Sequence, residues 1–238
     1  MPARPVPDEI FAGRLRDAFL LDLELLAVAD LAPHVRSIRT RSRDLVGFEH
    51  DPGQDVMFDF LKDDRLVRRR YTIRRSDPHE GTADFEIEIH SGVGPATAWA
   101  LQAEPGGRIE GIGPRGKITI RPEAPAHLFI ADDSAMPAAF AMLEALPHDT
   151  PAAALLVTPY GPDSRPGPAS AASLTWLEER QLLAALEPAP DTAVYVLGEL
   201  GLVRRVRTLL AERAFPLDLL AAKAYWRRDQ SNAENGEP

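Results

Sequence analysis

The fold of this chain is best predicted from one segment, Arg69-Arg70-Tyr71-Thr72-Ile73-Arg74. Its aromatic and β-branched residues predict a β-strand in which Arg69, Tyr71 and Ile73 share one face. Guanidinium groups around a tyrosine ring offer both a stacking surface and a clamp for an anion such as phosphate. The alternative is an exposed edge strand whose arginines prevent aggregation.

A second segment favours the anion-binding interpretation. The predicted strand at 84–90 ends in His90 and leads into Ser91-Gly92-Val93-Gly94-Pro95-Ala96-Thr97. The glycines permit a tight turn, and Pro95 suits a helix start, because the first turn of a helix does not use the missing N–H. The free N–H groups and dipole of that helix, together with the Thr97 hydroxyl, offer an anion site.

The composition excludes several classes of protein. The 238 residues include 27 Lys and Arg against 36 Asp and Glu, and the net charge of −9 argues against nucleic acid as a main partner. The absence of cysteine excludes disulfides, thiolate nucleophiles and cysteine-ligated iron–sulfur clusters. The six histidines have no metal-ligand spacing. Asp22 and Glu24 interrupt the apolar run at 19–26, so we expect no membrane insertion and a cytoplasmic location.

The order of the patterns predicts two domains. Short alternating segments separated by turns predict a small antiparallel β-barrel in the first half. In the second half, apolar strands at 127–131, 152–157 and 194–197 alternate with helices, which predicts a parallel sheet with ligands at its carboxyl edge. The predicted fold is therefore β plus α/β, with an extension containing a helix at 1–19, a barrel at 20–122 and an α/β domain at 123–238.

The same segments resemble a known family. The Arg-x-Tyr-Thr strand, the strand that ends in histidine and the Gly-x-x-Thr helix start resemble the FAD-binding barrel of the ferredoxin-reductase superfamily. The string HSGVGPATAWALQAEPGG, followed by GIGPRGK, resembles the siderophore-interacting protein family of NAD(P)H-dependent ferric-siderophore reductases. Three later strings, ADDSAMPAAFAMLEALP, VLGELGLVRRVRTLL and AYWRR, fit the same family, so the resemblance extends from about residue 20 to 230.

The resemblance implies that the barrel binds FAD. Tyr71 would stack on the isoalloxazine ring, Arg69 would contact the pyrophosphate, and Thr72 would bond the polar ring edge near N5. Trp99 is expected in the core. For His90, the alternative is a strand-end side chain bonded to nearby backbone. The other implied FAD contacts are Ile89 and His90 on the next strand, and Gly94, Pro95, Ala96 and Thr97 at the pyrophosphate turn.

The resemblance also implies that NADH or NADPH binds across the strand ends of the second domain. Asp132 and Ser134 would lie on one side of the nucleotide, and Gly198 and Glu199 would close the nicotinamide side. Without the resemblance, Asp132 and Ser134 are read as caps of the helix that follows to about residue 146.

Two departures from the family pattern leave nucleotide affinity and the choice of nucleotide open. Ala131 stands where the family commonly has glycine, and Thr158 stands where it commonly has an acidic residue. Arg165 in the next loop could reach a 2′-phosphate, but we expect a solvated side chain.

The implied activity is reduction of a ferric siderophore by a monomeric FAD-dependent enzyme that takes electrons from NADH or NADPH. Ferric catecholate siderophores are anionic, so Lys223, Arg227 and Arg228 are candidate substrate contacts. Outer-sphere electron transfer needs no catalytic side-chain acid or base. Two alternatives remain: a flavin reductase or diaphorase with another acceptor, and a non-enzymatic flavin- or siderophore-binding protein whose nucleotide site has decayed.

Overall fold

The computed structural model describes residues 20–62, 65–89, 94–116 and 118–228, without the side chains of Lys62 and Arg65. The extension predicted at 1–19 and the predicted site residue His90 lie outside the described residues. Within the described ranges, no helix is long and apolar enough to cross a membrane.

The first half of the chain folds into a curled antiparallel sheet, which confirms the predicted β architecture. Apolar and polar side chains alternate as expected for a sheet with one buried face, since Leu21, Leu23 and Leu25 are buried and the residues between them are exposed. Its strands are β1 (Leu20–Ala32), β2 (Val35–Arg41), β3 (Asp55–Lys62), β4 (Arg65–Thr72), β5 (Arg75–Asp77), β6 (Thr82–Glu88) and β7 (Arg108–Arg115), and a 3₁₀ turn spans Arg43–Leu45.

The order of these strands is β4-β3-β7-β1-β2-β6-β5. Just beyond β4, the Arg74 N–H donates to the Asp84 carbonyl on β6 at 2.8 Å. This bond connects β4 and β6, which lie near opposite ends of the strand order. Helix α1 (Pro95–Gln102) packs on this sheet through Ala96 and Ala100. Trp99 lies at the edge of the same core, as expected, with its ring centroid 5.6 Å from that of Phe60.

The second half forms a parallel sheet, as predicted, and this sheet has five strands. Two neighbouring strands, at Ala126–Asp132 and Thr192–Glu199, are buried along nearly their whole length, as is typical of parallel strands covered on both faces. The strands are β8 (Ala126–Asp132), β9 (Ala152–Val157), β10 (Ser173–Leu177), β11 (Thr192–Glu199) and β12 (Leu220–Trp226), in the order β10-β9-β8-β11-β12. The helices are α2 (Met136–Ala145), α3 (Glu179–Ala185) and α4 (Leu200–Glu212), with 3₁₀ turns at Gly161–Ser164 and Leu217–Leu219.

Strand β12 is absent from the sequence-based prediction, because its successive alanines obscure the alternation of apolar and polar residues. It pairs in parallel with β11, so its end lies beside the carboxyl end of β11. The domain division predicted between residues 122 and 123 falls between β7 and β8, and it stays a prediction.

Candidate functional site

The N-terminus of α1 is the first component of the candidate site. Gly94 is the N-cap and has no side chain with which to bond the first-turn N–H groups, and the first turn contains no acidic residue. A Cβ added at Gly94 would meet no atom within 4 Å, so the backbone borders open space. Thr97 is buried in the same turn. The positive end of this helix can therefore accept an anion.

The end of β4 supplies the aromatic component. The Tyr71 ring packs against two rings of the barrel core, at centroid distances of 6.1 Å from Phe58 and 6.3 Å from Phe60. Burial raises the pKa of Tyr71, so its hydroxyl stays neutral. Thr72 is buried, whereas Arg69 is partly exposed and donates to the Arg68 carbonyl at 2.8 Å.

A cleft of about 520 Å³ lies between the β3–β4 hairpin, α1 and β7. Pro95 and Trp99 form one wall, and Phe60 with the exposed Leu61 and Leu66 forms another. Because Pro95 is the first residue of α1, the cleft borders the helix start at which an anion would bind.

The carboxyl edge of the second sheet is organised around Asp132. One carboxylate oxygen accepts the Ser134 hydroxyl at 2.6 Å and the Ala135 N–H at 3.2 Å. The other accepts the Glu199 N–H at 2.7 Å and the Trp226 indole N–H at 2.9 Å. Burial raises the pKa of Asp132, although these donors oppose the shift. With four donors, this carboxylate joins the ends of β8, β11 and β12.

The packing of Asp132 explains the glycine at 198. Gly198 has φ +134°, and a Cβ there would lie 2.5 Å from the Asp132 carboxylate. A larger residue would clash with that carboxylate and strain the backbone.

The N-caps of α2 and α4 differ: only that of α4 uses its own side chain. Ser134 does not cap α2, contrary to prediction: Ala135 is the N-cap, and Asp132 accepts its N–H. Glu199 caps α4 by accepting the Leu202 N–H at 2.9 Å. Burial would raise the pKa of Glu199, but backbone N–H donors lower it overall, so this side chain stays ionised.

The prediction that Arg165 is solvated is wrong. Its side chain is 1% exposed, and its guanidinium donates to Glu86 at 3.0 Å and to the Asp133 carbonyl at 3.0 Å. Glu86 belongs to β6, so Arg165 joins the barrel to the α/β domain. Asp133 also bonds Thr158, and burial raises the pKa of its carboxyl.

A second buried arginine makes a similar link. Arg74, just after β4, donates to both carboxylate oxygens of Glu144 on α2, at 2.6 and 2.8 Å. Its Nε lies 3.3 Å from Glu86, an ion-pair distance without hydrogen-bond geometry. Burial would raise the pKa of Glu144, but hydrogen bonds from Arg74, Arg75 and the Ala169 N–H lower it to about 2.

Two further titratable groups face the junction between the domains. His34 is buried, stacks on Tyr160 at 3.7 Å and lies 4.0 Å from Asp133; burial lowers the pKa of its imidazole. Glu88 ends β6 beside the predicted FAD contact Ile89. Burial first, and then the charges of Asp133 and Asp132, raises the pKa of Glu88 to about 8.

Strand β12 brings the two halves of the site together. The Tyr225 hydroxyl bonds the Thr72 side chain, and Trp226 bonds Asp132. Lys223 Nζ donates to Asp55 on β3 at 2.7 Å. The predicted residues Thr72 and Asp132 are therefore linked through two adjacent residues of β12.

The candidate substrate contacts are placed unequally. Lys223 is paired with Asp55, and Arg228 donates to Glu179 at 2.8 Å. Among the described residues, Arg227 makes no ion pair and is partly exposed.

Sequence reasoning missed the roles of Asp55, Glu88 and Glu86. Asp55 and Glu86 lie in ordinary alternating strands, and nothing in their neighbourhood along the chain signals a partner in the other domain. Glu88 offered one signal, since it directly precedes the predicted FAD contacts.

Comparison with known proteins agrees with this geometry. Residues 124–229 match the family described as siderophore-interacting protein, and residues 48–118 match the siderophore-interacting FAD-binding domain. A siderophore utilization protein from T. fusca has a solved structure that superposes with a TM-score of 0.76 at 27% identity, covering 90% of this chain and 95% of that one.

Two curated relatives extend the comparison. The mycobactin import ATP-binding/permease protein IrtA of Mycolicibacterium thermoresistibile is 32% identical over 178 residues, which are 68% of this chain and 19% of that protein. The NADPH-dependent ferric-chelate reductase of Escherichia coli is 30% identical over 158 residues, 62% of this chain and 61% of that protein. The chain thus spans less than two thirds of the length of either relative.

Proposed function

This chain belongs to the siderophore-interacting protein family, and from that membership we propose that it is a FAD-dependent ferric-siderophore reductase. It would take electrons from NADH or NADPH and deliver them to the iron of a ferric siderophore. The observation that carries the proposal is the bridge made by β12, in which Lys223 donates to Asp55 of the barrel and Trp226 donates to Asp132 at the edge of the parallel sheet. A cofactor at Tyr71 would therefore lie next to a nucleotide at the strand ends.

The residues of the barrel suit FAD. The pyrophosphate carries negative charge, and the α1 N-terminus has open space at Gly94 and no acidic residue in its first turn. Tyr71 offers a neutral ring supported from behind by barrel aromatics. We assign the pyrophosphate to Arg69 and the α1 turn, the ring system to Tyr71, and the polar ring edge to Thr72. The remaining proposed contacts are Ile89, His90, Gly94, Pro95, Ala96 and Thr97.

For the nucleotide, we propose the edge formed by Asp132, Ser134, Gly198 and Glu199. The carboxylate of Asp132 already accepts four donors, so it would shape this edge rather than bind the nucleotide directly. Gly198 would let the nicotinamide approach the backbone closely, because it has no side chain.

The separate roles of the cofactor and of the protein follow from the chemistry of the reaction. When bound, FAD accepts two electrons together and releases them singly, which matches a two-electron donor to a one-electron metal. The overall balance is one NAD(P)H and two Fe(III) giving NAD(P)⁺, two Fe(II) and one proton. Tyr71 would orient the ring system, and the two domains would exclude water from it. Hard oxygen ligands hold Fe(II) less well than Fe(III), so reduction promotes release of the iron.

Among the three candidate substrate contacts, Arg227 suits an anionic siderophore best. Lys223 and Arg228 already have carboxylate partners, whereas Arg227 has none among the described residues. We further propose that the protein acts as a monomer in the cytoplasm.

A second function is favoured by one observation. The side chains at the carboxyl edge of β8 and β9 are engaged with one another, since Asp133 bonds Thr158 and Arg165. With this edge closed to a nucleotide, the protein would bind flavin or siderophore without accepting electrons from NAD(P)H.

The test is an anaerobic visible spectrum of the FAD-loaded protein before and after NADH and then NADPH, followed by ferric siderophore as the oxidant. We expect one nucleotide to bleach the flavin bands and the siderophore to restore them. Yellow protein that neither nucleotide bleaches would favour the binding function, and protein that takes up no FAD would contradict both the reductase function and flavin binding.

A matched pair of variants tests the FAD site itself. Arg69→Ala is expected to weaken FAD binding at least tenfold, because it removes a charge-assisted contact with the pyrophosphate. Arg70→Ala, the control, changes a neighbouring exposed arginine on the opposite strand face and should leave FAD affinity unchanged. Equal losses in the two variants would contradict the assignment of Arg69.

A further inference from the structure

A partly buried ion pair joins the two domains beside Thr72. Lys223 Nζ lies 2.7 Å from Asp55 Oδ2, and Asp55 is only 3% exposed. The other carboxylate oxygen of Asp55 is buried and has no hydrogen-bond partner among the described residues. The Lys223 ammonium group is thus the main partner of the buried Asp55 carboxylate, and solvent cannot replace it.

These three residues and Tyr225 form one compact arrangement. Asp55 and Thr72 face each other across β3 and β4. Lys223 and Tyr225 are two residues apart on β12 and so share a face. Lys223 Nζ lies 5.0 Å from the centroid of the Tyr225 ring, and the Tyr225 hydroxyl bonds Thr72.

We propose that Asp55, Lys223 and Tyr225 are positioning residues, which hold the Thr72 hydroxyl at the polar edge of the FAD ring system and balance the charge there. This inference rests on the proposed function, since it takes Thr72 as the residue that meets the ring edge. Lys223 is then a positioning residue and not a substrate contact, because Asp55 neutralises the charge that would attract an anionic siderophore.

The arrangement predicts effects of opposite sign. Reduction adds negative charge to the cofactor, so nearby positive charge favours reduction and nearby negative charge opposes it. Asp55→Asn leaves the Lys223 charge uncompensated and should raise the midpoint potential of bound FAD. Lys223→Gln leaves the Asp55 charge uncompensated and should lower it. The double variant Asp55→Asn/Lys223→Gln should return the potential close to that of the wild type.

The Tyr225 hydroxyl gives an independent test. Tyr225→Phe removes one hydrogen bond to Thr72, and we expect the dissociation constant of FAD to rise about threefold to tenfold. Tyr160→Phe is the matched control, because Tyr160 is an exposed tyrosine that stacks on His34 and is not part of this arrangement.

The experiment measures the midpoint potential and the FAD dissociation constant for the wild type and these variants, together with KM for an anionic ferric siderophore. Opposite shifts in potential that cancel in the double variant support the inference. If the potentials do not move, and Lys223→Gln instead raises KM while Asp55→Asn lowers it, Lys223 is a substrate contact and the inference is overturned. Shifts of the same sign also overturn it. Wild-type protein that binds no FAD would overturn the proposed function and this inference together.

Discussion

Substituting Glu86 by glutamine is expected to weaken the contact between the barrel and the α/β domain. The Glu86 carboxylate lies 3.3 Å from Arg74 Nε and 3.0 Å from an Arg165 guanidinium nitrogen. Arg74 belongs to the barrel and Arg165 to the α/β domain. All three side chains are less than a tenth exposed, so water cannot replace the lost charge.

The magnitude follows from the partners that remain. Removing one member of a buried ion pair costs about 3–5 kcal/mol of unfolding free energy. Arg74 keeps Glu144 and Arg165 keeps Asp133, so we expect the lower end, about 3 kcal/mol. Each kcal/mol shifts the Tm of a chain of this size by about 2–4 °C, which gives a fall of about 6–12 °C.

The assay is thermal and urea unfolding followed by circular dichroism. Asp30→Asn is the control: Asp30 also pairs with an arginine, at 2.8 Å, but its side chain is 62% exposed, so its loss should change Tm little. The double variant Glu86→Leu/Arg165→Met replaces the pair by apolar side chains and should recover part of the loss. If Glu86→Gln unfolds at the same temperature as Asp30→Asn, the buried charges do not hold the domains together and the reasoning is refuted.

Three further changes have expected outcomes. Gly198→Ala should cost more than about 2 kcal/mol in urea unfolding, because of its positive φ and the 2.5 Å approach to Asp132, and an unchanged midpoint would contradict this. The pKa of Glu144 is lowered to about 2, so its stabilisation is present above about pH 4.5 and lost as the pH falls towards 2; Glu144→Gln should flatten this acid-side loss in a pH series of unfolding experiments. The pKa of Glu88 is raised to about 8, so the folded state binds a proton that the unfolded state releases, and stability should fall as the pH rises from about 4.5 to 8. Glu88→Gln should remove this fall, and a parallel decline in both proteins would count against a protonated Glu88 in the folded state.

Local patterns in the sequence predicted most of the fold. Alternation at 69–74 and 84–90 gave two strands of the barrel, and apolar runs at 127–131 and 152–157 gave two strands of the parallel sheet. Pro95 marked the start of α1 within one residue. These features follow from side-chain periodicity and backbone geometry, which depend on residues a few positions apart.

Some residues of the candidate site were predicted from the sequence and others were not, for a related reason. The residues around Tyr71 and the turn at 94–97 lie in continuous motifs, so the motif and the resemblance identified them together. Arg165 lies in a proline- and glycine-rich loop that suggests exposure, but in the structure it is buried and pairs with Glu86 on β6 of the other domain.

The sequence by itself thus predicted the antiparallel sheet followed by a parallel sheet, the family resemblance and the continuous segments that we propose bind FAD. Only the tertiary structure decided which charges are free and which are engaged. Lys223 and Asp55 are 168 positions apart, and Arg165 and Glu86 are 79 apart. Nothing local to these residues encodes their partners. An ion pair depends on distance and burial, and both are set when the barrel and the parallel sheet pack against each other.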